Sequence, residues 1–141
     1  MRRAPAVIAA AVGAAVIVNL VVYAIGRAAG GSFRFTTDGT LNEVDAVTVA
    51  GFSAVPLLLG LSLVALLSRL GPWLTRTAVI VAPALALATI VVMTVPADLD
   101  TTSTITLSLC HVTLAPISVA AVLALGRGGR SRAGRAEPVS A

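Results

Sequence analysis

The chain has 141 residues, 57% of them hydrophobic and only 11% charged, with a mean hydropathy of +1.00. Soluble domains carry roughly 25% charged residues, and a domain this small exposes too much of its surface to hide so much apolar area, so the composition excludes a soluble fold and assigns an integral membrane protein. The net charge of +4 comes from ten basic residues, all arginines set at the ends of apolar runs or in the tail, which argues for membrane topology and against nucleic acid as a partner.

The absence of lysine, with the excess of alanine, glycine and valine, points to a high-GC genome. The single cysteine, Cys110, lies within an apolar run, so no disulfide framework or zinc ligand set is expected.

The first apolar run gives a span at about residues 6–26. About 20 residues at 1.5 Å each match the roughly 30 Å hydrocarbon core. A cleaved signal peptide fits less well, because its apolar part is typically about 7–15 residues and here Arg27 occupies the junction. In the loop that follows, Phe33-Arg34-Phe35 alternates, which places both phenylalanines on one side of an extended strand. They are expected at the membrane interface or over the end of the helices. Asp38-Gly39 is a turn signal. A full hairpin is not expected, because only two residues separate that turn from Asn42, read as the N-cap of the second helix with Asp45 at its third position. A binding role for the loop is the sharper alternative.

The second span is expected at about 46–67, kinked at Pro56, and the third at about 77–96, with Pro83 inside it. Membrane helices tolerate such prolines. Trp73, between Arg69 and Arg76, reads as an interface anchor. Asp98 and Asp100 form an acidic turn that caps the fourth span, about 103–126; caps and solvation explain the two aspartates better than a divalent-ion site. Residues 127–141, rich in glycine, arginine and serine, are expected to be a disordered tail.

Four spans put both termini on one side. That side collects Arg2, Arg3, Arg69, Arg76, Arg127, Arg130, Arg132 and Arg135, against Arg27 and Arg34 on the other. The bias makes the termini cytoplasmic.

Inside the spans, Asn19, Ser53, Thr89 and His111 fall at one depth, each seven or eight residues from the end of its run on the loop side. Small residues flank them at helical spacing, the mark of close helix approach. These four form a candidate buried polar layer, with Asn19 and His111 expected to hydrogen-bond directly or through water. Packing glue is the plainer alternative.

No expected span holds Asp, Glu, Lys or Arg, so the carboxylate that a small proton-coupled exporter needs is missing. One histidine per chain cannot give bis-histidine haem ligation except across a dimer. Cys110 and His111 are helix neighbours about 100° apart, which is poor geometry for a nucleophile and its base. The expectation is therefore an all-α, integral membrane four-helix bundle with a short extended outer loop between helices 1 and 2. It would be a structural or partner-binding protein of the cell membrane and no enzyme, with no catalytic, cofactor-binding or metal residues and no cofactor. Its partners would be the lipid bilayer and a membrane protein or a second copy of itself. A small-molecule or proton-linked transporter built on Asn19 and His111 is the alternative.

The Phe33-Arg34-Phe35 loop, the Val44, Val47 and Val49 entry to the second span, and Leu107-Ser108-Leu109-Cys110-His111 in the fourth together resemble an uncharacterised family of small four-span membrane proteins of high-GC Gram-positive bacteria. The likeness covers most of residues 5–126 and excludes the tail. A Leu-x-x-His step is typical of the family at this place, with Cys110 as this chain's own variant. The resemblance implies the fold and brings no activity.

Overall fold

The computed structural model describes residues 3–68 and 70–133. Helix α1 (Arg3–Ala28) leads into strands β1 (Arg34–Thr37) and β2 (Thr40–Glu43). Helices α2 (Ala46–Leu67) and α3 (Pro72–Thr89) follow, then a π-helical turn (Ile90–Thr94) and α4 (Thr101–Ala133). Four helical segments are long and apolar enough to cross a membrane: Arg3–Ala28, Ala46–Leu67, Pro72–Thr94 and Thr101–Arg127. The chain is a multi-pass membrane protein.

The third helix begins earlier than its expected span because Pro72 sits in its first turn, where the missing N–H costs nothing and the fixed φ suits a helix. The fourth runs beyond the expected end to Ala133. Arg127 to Ala133 is thus helical rather than disordered. The remainder of the tail lies outside the described residues.

The loop after α1 departs from expectation. It is a full antiparallel hairpin, paired from Arg34 with Glu43 to Thr37 with Thr40. Asp38 and Gly39 both have positive φ, 51° and 75°, the signature of a two-residue type I′ turn whose twist matches its strands. The strand uses residues that the expected Asn42 cap would have given to α2. Instead Asp45 is the N-cap of α2, its carboxylate accepting from the Thr48 amide at 2.7 Å, and Asn42 is left free for the strand.

The helices pack in the order α2, α1, α4, α3, with α1 against both α2 and α4, and α3 against α4. Two apolar cores result. At the end nearer the termini all four helices contribute to one, centred on Leu61, Ala121, Val122 and Leu125 and joined by Val7 and Val79. At the hairpin end the second core consists of Tyr23, Phe33 and Val49 with Leu20, Val44 and Leu107. It contains nothing from α3. Accordingly no Cα of α2 comes within 8 Å of one in the π-helical turn, and α2 and α3 leave an opening between them beneath the hairpin.

Candidate functional site: a cleft beneath the hairpin

The roof of this opening is fixed by Phe33. With φ at 56°, it turns its side chain down between the helix ends, where it is fully buried. Its ring lies 4.6 Å from that of Tyr23, tilted by 56°, and the Arg27 guanidinium sits 5.9 Å from its centroid. Its amide donates to Ser103 Oγ at 2.8 Å. Gly26 and Gly31 leave room for the ring: a Cβ at Gly26 would collide with the Thr106 hydroxyl and lie 2.9 Å from Phe33. Phe35 does not share this burial. It is half-exposed and lines the cavity below. The two phenylalanines divide the work of roof and wall.

The turn before α4 holds the other edge of the hairpin. Asp98 accepts from the Thr36 amide at 2.6 Å. Asp100 caps α4 through the Ser103 amide at 2.9 Å and accepts from the Ser32 amide and hydroxyl at 2.9 and 2.7 Å and from the Ser103 hydroxyl at 2.6 Å. These donated hydrogen bonds, first that of the Ser103 hydroxyl, hold the Asp100 carboxyl well below its ordinary value; the Thr36 amide does the same for Asp98. On the opposite side Glu43 accepts from Arg27 at 2.9 Å and from Arg34 at 3.4 Å, exposed pairs worth about 0–1 kcal/mol each.

Beneath the roof is a cavity of about 330 Å³. Its walls come from α2, the π-helical turn and α4, and Asn19, Ser53, Thr89 and His111 all line it. The bonding among them differs from expectation. Asn19, buried on the α1 face that also carries Ala15 and Tyr23, donates to Ser53 Oγ at 2.8 Å and accepts from the Thr113 hydroxyl at 2.6 Å. The Ser53 hydroxyl in turn donates to the Val49 carbonyl at 2.7 Å. Asn19 therefore ties α1 to α2 and to α4, and it makes no direct bond to His111. The histidine accepts no interhelical role: its Nδ1 lies 2.8 Å from the Leu107 carbonyl of its own helix.

The reason is rotational phase. The buried seam of α4 runs through Ser103, Thr106, Cys110, Ser118 and Ala121, one position away from His111, and one position is about 100° of helix. Thr89 likewise bonds back to Leu85 at 2.8 Å. Thr113 was missed in the sequence, although it continues the spacing of Thr106 and Cys110. Among the described residues no group of three or more His, Cys, Asp or Glu could hold a metal ion.

Residues 1–129 match a protein family described only as a family of unknown function (DUF6069). The chain belongs to that family. No curated protein and no solved structure matches it. For a member of DUF6069, then, the cleft and its roof are what the function must be read from.

Proposed function

We propose that the protein is a non-catalytic, partner-binding protein of the bacterial cell membrane, and that the cleft between α2 and the π-helical turn is its binding element. The carrying observation is that the hairpin-end core omits α3, leaving a cavity roofed by a hydrogen-bonded hairpin and bounded by helices that do not close on each other. Exposed Phe52 and Met93 flank it, so an occupant would enter sideways from the bilayer. The arginine distribution supports cytoplasmic termini and a hairpin on the outer face. The lysine-free composition and the family resemblance support a high-GC Gram-positive source.

Transport on an Asn19–His111 pair is less well supported. Asn19 has committed both ends of its amide to Ser53 and Thr113, and the walls at depth carry no carboxylate. The test is photo-crosslinking in native membranes with benzoylphenylalanine placed at Phe52, Met93 or Ile17, the last exposed on α1 away from the cleft. Discrete adducts from Phe52 and Met93 and none from Ile17 support the reading. The same diffuse lipid adducts from all three positions contradict it.

A further inference from the structure

Resting on the binding reading above, the chemistry inside the cleft narrows the occupant. Its size comes first. A half-open cavity of about 330 Å³ has room for a small molecule or a lipid chain.

Charge comes second. Glu43 is the one charged residue among those lining the cavity, and it is engaged by Arg27 and Arg34. An ion drawn into the cleft would meet no free counter-charge at depth, and an unpaired charge in apolar surroundings is costly. Such walls favour a neutral occupant.

Hydrogen-bonding capacity comes third. The Leu107 carbonyl accepts only, so His111 Nδ1 must carry the proton of their 2.8 Å contact. In the neutral ring Nε2 is then a bare acceptor, and among the described residues it has no partner. Thr94 is 4% exposed and lines the same cavity, and its hydroxyl also bonds to none of the described residues. Among the described residues no fully enclosed side-chain polar atom lacks a partner, so that hydroxyl is accessible, on a residue that lines the cavity. The site thus offers one acceptor that needs an O–H or N–H, and one hydroxyl that takes either role. A basic amine would arrive charged; a hydroxyl would not. We infer that the cleft binds an uncharged, hydroxyl-bearing lipophile that enters from the bilayer and donates its hydroxyl proton to His111 Nε2.

The experiment uses the full chain in phosphatidylcholine vesicles and a diazirine-tagged long-chain alcohol, with labelled peptides mapped by mass spectrometry. Competitors are decan-1-ol and decyl methyl ether, compared at equal concentration in the membrane. The expected result is labelling at the cleft walls around Phe52, Met93 and Leu114, displaced about five-fold better by the alcohol than by the ether, the worth of one hydrogen bond. His111→Phe, which keeps a ring and removes the acceptor, abolishes that preference. Thr94→Val, nearly isosteric, weakens it and serves if the first variant does not fold.

Cleft labelling displaced equally by both competitors, or a preference undiminished in a folded His111→Phe variant (or, where that does not fold, in Thr94→Val), overturns this inference while leaving the cleft as a binding element. Labelling confined to lipid-facing residues such as Ile17 overturns the binding reading itself.

Discussion

Asn19 and His111 were paired by depth, and their surroundings separate them. Asn19 is 1% exposed and joins three helices through Ser53 and Thr113. Interhelical bonds of this kind average about 0.6 kcal/mol and seldom exceed 1.7, so Asn19→Leu is expected to cost about 1–3 kcal/mol, read as a lower melting temperature in detergent. His111 bonds only to its own helix. His111→Leu should therefore leave the melting point nearly unchanged, within about 0.5 kcal/mol, whatever it does to binding. A loss as large as that of Asn19→Leu would show that the histidine is holding helices together. Both residues were legible as a polar layer because intramembrane polar side chains are rare. Which of them bonded to which was not, since a rotation of 100° on α4 decides it, and the abundance of alanine blurs helical phase.

The hairpin is the element whose form was least legible. Its turn was visible in Asp38-Gly39, but a competing cap assigned Asn42 to the helix, and only Asp45 capping Thr48 releases β2. Nor did the sequence reveal that Asp98 and Asp100 reach residues more than sixty positions away. This latch has a definite pH dependence. The carboxyls of Asp98 and Asp100 are depressed below their ordinary value of 3.8, so they stabilise docking fully above that pH, and the contribution is lost as pH falls through their folded values. Protection of the Ser32 and Thr36 amides, taken relative to their intrinsic exchange rate at each pH, should hold from neutrality to about pH 4 and fall below it. Asp100→Ala should quicken Ser32 at neutral pH while the spans remain protected. An unchanged Ser32 rate would mean that the hairpin is held elsewhere. Gly26 supplies a second handle on the same element. Gly26→Val forces a side chain against Thr106 and Phe33, an overpacking that typically costs about 1–3 kcal/mol, and should loosen the hairpin along with the α1–α4 contact.

At the scale of the molecule, four apolar helices and their approximate bounds follow from run length and composition, because the bilayer fixes how many residues a span requires. What composition does not encode is that the helices share a core only at one end. At the hairpin end Phe33 completes a core with residues of α1, α2 and α4 and none of α3, and the cleft lies beside it. The proposed orientation, with cytoplasmic termini, also predicts accessibility. In a Cys110→Ser background, a cysteine replacing Asp38 should react with an impermeant maleimide applied to intact cells, and one replacing Trp73 only after permeabilisation. The reverse pattern would invert the orientation.

The central claim is that α2 and the π-helical turn stand apart and admit a guest. His111 is the sole histidine in the chain, so selective labelling of histidine gives one isolated reporter on the cleft wall. In nanodiscs with protonated lipid, the account predicts nuclear Overhauser contacts between the His111 ring and non-protein methylene protons. Contacts from that ring to α2 side chains alone, with no signal from lipid or ligand, would show the helices closed upon each other and would contradict it.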